Sequence, residues 1–106
     1  MYRQLLLLTF TLITIAFTPA GAASSHEQRG KILALYNCAK CHSVDKLSKS
    51  PLKAAPPFRT LHTRYPIEAL AEALAVGTST GHPRMPPFQL GPDQIGDLLA
   101  YLKTLE

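Results

Sequence analysis

Two cysteines and a histidine stand within five residues of one another, as Cys38-Ala39-Lys40-Cys41-His42. Thiols three residues apart fall on one face of a helical turn, so both sulfurs can reach the same flat group. With a histidine directly after the second cysteine, the C-x-x-C-H spacing is that of covalent haem attachment: the thiols form thioethers to the vinyl groups along one porphyrin edge, and the imidazole of His42 sits beneath the ring to bind iron. Other chemistry for the pair fits less well. A thioredoxin-like redox motif needs a neighbouring βαβ pattern, and no stretch alternates apolar and polar residues long enough to make a strand. A structural zinc site wants four ligands in spaced pairs, whereas the whole chain holds two cysteines and four histidines. A disulfide would close too small a loop to stabilise much.

An iron bound by His42 has a second axial position. Of the two methionines, Met1 belongs to the amino-terminal segment, which leaves Met85. Pro83 and Pro86-Pro87 flank it, removing backbone donors and restricting the chain, so an otherwise flexible thioether is held in one place. His/Met ligation is the option that raises the reduction potential. His26, His62 and His82 read as surface residues, although His82 lies close enough to Met85 to keep a bis-histidine iron open.

The elements that must position these groups are helical. Residues 1–22 read as an export signal: Arg3, an apolar run from Leu5 to Phe17 too short to span a bilayer comfortably, and a small-residue cleavage site at Ala20-Gly21-Ala22. Residues 23–106 then form one small domain in the periplasm, without stable membrane insertion after cleavage. So short a chain buries a modest core and gains from a staple such as a buried cofactor, which also accounts for the absence of tryptophan. A first helix is expected from Ser24 or Ser25, each with a capping-box partner in Glu27 or Gln28, and Ile32, Leu33, Leu35 and Tyr36 supply its apolar stripe.

Ser43 to Thr63 shows no sustained period and reads as an irregular loop, one whose length suits wrapping a cofactor face. A second helix starts at Pro66, carries Ile67, Leu70, Ala71 and Leu74 on one side, and stops at Gly77. After a loop from Thr78 to Leu90, a last helix opens at Gly91-Pro92-Asp93 and buries Ile95, Leu98, Leu99, Leu102 and Leu105. The expected fold is all-α, three main helices and long loops around one haem c.

Taken together, essentially all of the sequence after residue 22 resembles the compact bacterial class I c-type cytochromes. Gly30 matches the small residue where that family's first and last helices cross, and Leu98 and Tyr101 match the other side of the crossing. Ala55-Pro56-Pro57-Phe58 resembles the segment whose proline carbonyl accepts a hydrogen bond from the haem histidine, which implies Pro56 as the partner of His42. Met85-Pro86-Pro87-Phe88 resembles the methionine-ligand loop. Two departures stand out. Ala34 replaces an aromatic at the crossing, so that Tyr36 or Leu33 fills the space or the helices approach more closely. No tryptophan is available for the haem propionates, for which Arg59, Arg64 and Tyr65 are substitutes.

The resemblance implies a periplasmic single-haem electron carrier that makes no bonds on a substrate. An enzyme or gas sensor with an open iron site is the alternative, as is the electron-accepting subunit of a periplasmic dehydrogenase. The chain has a formal net charge of +4, and Lys40, Lys46, Lys49, Lys53, Arg59 and Arg64 crowd the haem-motif half against the single acid Asp45. Nucleic acid is an unsuitable partner for an exported chain without a recognition motif. Either a solvated surface or docking of an acidic redox partner accounts for the cluster.

Overall fold

The structure, a computed structural model, describes residues 13–16, 24–77 and 84–106. The expected cleavage site after Ala22, the residues His82 and Pro83, and most of the expected export signal lie outside the described residues. Among the described residues every regular element is helical: α1 (Ser25–Asn37), a 3-10 turn (Phe58–Thr63), a shorter one (Ile67–Ala69) leading into α2 (Leu70–Val76), and α3 (Pro92–Lys103). No described helix is long and apolar enough to cross a membrane.

Each end of these helices has a local cause. Ser24 caps α1 through a reciprocal box, its Oγ accepting from the Glu27 amide while Glu27 Oε2 accepts from the Ser24 amide, both at 3.2 Å. At the other end of the fold, Gln94 Oε1 accepts the Gly91 amide at 3.0 Å, and Pro92 fills the first helical position, where a missing N–H leaves nothing unpaired. Gly77 ends α2 in the left-handed region (φ 68°), a conformation that a side chain would strain.

Helices α1 and α3 cross by close backbone approach. A Cβ placed on Gly30 would overlap the Asp97 carbonyl oxygen and stand 2.8 Å from Tyr101 Cβ, and Ala34 is fully buried beside it. Of the two residues expected to fill the space beside Ala34, Tyr36 is exposed and Leu33 is partly buried against the core. Asp97 also holds the crossing through its side chain. Arg29 donates to it twice, Nε to Oδ2 at 2.8 Å and Nη2 to Oδ1 at 3.0 Å, and His26 Nδ1 donates to Oδ1 at 2.6 Å. Hydrogen bonds from Arg29 and then His26 hold the Asp97 carboxyl below the usual carboxylate range.

Three expectations are corrected here. The apolar stripe of α1 does not turn inward: Ile32, Leu35 and Tyr36 are exposed, and only Leu33 of the four is partly buried. Close packing selects the small flank of the helix, because large side chains would hold the backbones apart. The segment from Ser43 to Thr63 is not unbroken loop, since Thr60 and Thr63 hydroxyls donate to the carbonyls of Pro57 and Thr60 and close the 3-10 turn at its end. The α-helix after Pro66 begins only at Leu70. His26 is exposed, as expected, and is in addition a partner of Asp97.

The core gathers Ala34 from α1, Val44, Phe58, Leu61 and Ile67 from the middle of the chain, and Leu98, Tyr101 and Leu102 from α3. Burial of each large side chain stabilises by roughly 1.5–3 kcal/mol. Leu99, expected among the buried residues of α3, is only partly buried, while Ile95 and Leu105 are buried. Tyr101 adds a polar tie, its hydroxyl donating to the Val44 carbonyl at 2.5 Å, and Lys103 pairs with Glu68 at 2.6 Å to fasten α3 to the turn before α2.

Candidate functional site

Helix α1 delivers the cysteine motif. Its last turn runs through Cys38, whose carbonyl accepts both the Cys41 amide (3.2 Å) and the His42 amide (2.9 Å). This coiled turn sets Cys38, Cys41 and His42 along one wall, because residues three and four apart share a side. Cys38 and Cys41 form no disulfide and are half-buried, and burial pushes the Cys38 thiol up to about 11.

The chain after the motif folds back to grip the histidine. His42 Nδ1 lies 2.7 Å from the Pro56 carbonyl oxygen. A carbonyl can only accept, so Nδ1 carries the proton and the lone pair is left on Nε2. Phe58 packs against the same imidazole, ring centroids 5.1 Å apart and tilted by 45°, and the Phe58 amide donates to the Ser43 carbonyl at 2.9 Å. The intervening loop is itself tied down. Asp45 accepts from the Leu47 and Ser48 amides and the Ser48 hydroxyl, and Arg59 Nη1 donates to the Ser48 carbonyl at 2.7 Å. These bonds, those from Ser48 foremost, lower the Asp45 carboxyl to about 2.

Two cavities, of about 370 and 410 Å³, share Asn37, Cys38, His42, Pro56, Met85 and Phe88 among their walls. Cys41, Lys40 and Arg84 border the first, and Tyr65, Leu70, Leu74, Leu98 and Leu102 border the second. Such volumes, mostly apolar with a few convergent polar groups, are those of cofactor sites. The donor set fits a haem: two thiols and an imidazole with a free lone pair on one side of an apolar space, and a thioether on its wall. Among the described residues no three His, Cys, Asp or Glu side chains gather as a metal cluster.

All five residues singled out from the sequence, Cys38, Cys41, His42, Pro56 and Met85, border this space. The three candidates for the propionates separate. Tyr65 lines the second cavity, whereas Arg59 is engaged with the Ser43–Ser48 loop and Arg64 lines neither cavity. Arg84, which sequence reasoning passed over, lines the first; its place directly before Met85 was the available signal. His62 is exposed and lines neither cavity.

The sequence model of the family described as cytochrome c matches residues 27–106. A curated relative, cytochrome c-552 of Bradyrhizobium diazoefficiens, is 29% identical over 94 residues, covering 89% of this chain and 88% of that protein. No solved structure matches.

Proposed function

This chain belongs to the cytochrome c family, which carries covalently attached haem c and serves electron transfer, and from that premise we propose a periplasmic carrier of single electrons with His42 and Met85 as its iron ligands. Bound there, the haem supplies one-electron chemistry, its iron alternating between ferrous and ferric. The protein's own part is to anchor, orient and shield. Cys38 and Cys41 would hold the group through thioethers, anchoring it at two points.

The observation that carries this reading is the hydrogen bond from His42 Nδ1 to the Pro56 carbonyl. It selects the tautomer whose Nε2 can bind iron and stops the ring from rotating, and the carbonyl raises the basicity of the imidazole. Met85 borders both cavities that His42 borders, so a thioether is at hand on the same space. With His42 and Met85 both serving as ligands, a bound haem would have no position left for a substrate and would supply electron transfer alone. Phe58, Leu98 and Leu102 give the site apolar walls.

Carbon monoxide added to the reduced, haem-loaded protein tests the proposal. A carrier with both axial positions filled leaves the absorption spectrum unchanged at neutral pH. Rapid carbon monoxide binding by the unaltered protein would establish an open site and favour an enzyme or sensor.

A further inference from the structure

Helix α1 keeps its large apolar residues outside. Where α3 crosses, the buried positions are Gly30 and Ala34, while Ile32, Leu35 and Tyr36 are 53, 49 and 82% exposed. At about 100° of rotation per residue, these three form one stripe on the flank facing away from the crossing. Single exposed apolar residues are ordinary, but a contiguous set marks an interaction surface. The crossing needs none of the three, since polar helix formers would serve equally well at positions directed to solvent.

Size and charge decide what covers the stripe. A fully buried aromatic contributes about 150–250 Å², so three partly exposed side chains offer a few hundred Å², well short of the roughly 800 Å² per partner of a stable complex and in the range of transient redox encounters. Lys31 beside Ile32 and Lys40 beyond the helix end are exposed. The charges that could offset them are engaged, Glu27 in the helix cap and Asp97 with Arg29. Two copies set face to face would oppose lysine to lysine, whereas carboxylates would complement this rim. The stripe ends at Tyr36, next to Asn37 and Cys38 on the cavity wall.

We propose that the Ile32, Leu35 and Tyr36 face of α1 docks a redox protein whose contact surface has an apolar centre and a carboxylate rim. The inference rests on the electron-carrier reading and adds where its partner sits. Association there brings the partner to the end of the helix that carries the cysteines, which shortens the path for an electron.

The test uses the haem-loaded protein in its source cells, with a benzophenone amino acid at Tyr36 and, as control, at the exposed Glu72 on α2. Light should give an adduct from position 36 and not 72, and mass spectrometry should identify its other half as an acidic protein with a redox cofactor. With that purified protein, Leu35→Ser and Tyr36→Ser should each raise the KM for electron transfer about tenfold, the loss expected when a large apolar side chain no longer leaves water. Midpoint potential and the rate of oxidation by ferricyanide, which needs no apolar contact, should not change. An adduct with a second copy or with the chain's own residues 1–22, no adduct specific to position 36, or an unchanged KM overturns the docking proposal. Failure of the unaltered protein to exchange electrons with ferricyanide counts instead against the electron-carrier reading.

Discussion

The backbone carbonyl of Asp97 lies where residue 30 would carry a side chain, so the presence of glycine there sets how closely α1 and α3 approach. A methyl group at this point meets backbone, which cannot swing aside as a flexible side chain would. Gly30→Ala should therefore force the helices apart and destabilise the haem-loaded protein by at least about 1–3 kcal/mol, the usual range for overpacking. At roughly 4–8 °C per kcal/mol for a domain of this size, thermal unfolding resolves the effect. Ala34→Gly, which adds no atoms, should shift the transition without moving α1.

The Asp97 side chain adds a pH dependence of known sign. Its folded-state value lies below the ordinary carboxylate value because Arg29 and His26 hold the ionised form. The group thus stabilises the fold above its unfolded value, and that contribution disappears as pH falls through the lowered one. Melting temperature should drop on acidification across this window. Asp97→Asn should be less stable at neutral pH and should lose part of that acid dependence. Parallel curves for the two proteins would show that the pair contributes nothing through ionisation.

Tyr101 reaches from α3 to the Val44 carbonyl, and both residues are buried. Removing the hydroxyl leaves an acceptor without its donor inside the core. Tyr101→Phe should cost about 1–3 kcal/mol in unfolding free energy. Chemical denaturation should show a lower midpoint with an unchanged slope.

How much of this was legible in the sequence depends on the range of the interaction. The cysteine motif, the Ser24 and Gly91 helix starts and the Gly77 stop rest on residues within a few positions, and local chemistry predicted them. The orientation of α1 rests on distant residues. Periodicity marked Ile32, Leu35 and Tyr36 as inward, yet Gly30 and Ala34 allow α3 closest. Nothing near Arg29 or His26 in sequence announces a partner 68 or 71 residues away in Asp97. The 3-10 turn at Phe58–Thr63 has a repeat shorter than the α-helical period, so apolar spacing does not reveal it. The contact of His42 with Pro56 was expected from family resemblance alone; spacing could not have supplied it.

Met85→Ala separates attachment from ligation. Cys38 and Cys41 remain, so the haem should stay bound through acid-acetone extraction. With the thioether gone, the reduced protein should bind carbon monoxide, and the midpoint potential should fall because a sulfur ligand favours the ferrous state. If potential and carbon monoxide behaviour match the unaltered protein, the sixth ligand lies elsewhere, with His82 or His62 next to be replaced.

The most direct measurement is a potentiometric titration of the mature protein, made in a host with haem-attachment machinery and followed by absorption. The account predicts one reversible one-electron step, the sharp bands of low-spin six-coordinate iron in the reduced form, and a sulfur-to-iron band in the oxidised form. A high-spin spectrum, or an oxidised form without the sulfur band, would contradict ligation by His42 and Met85.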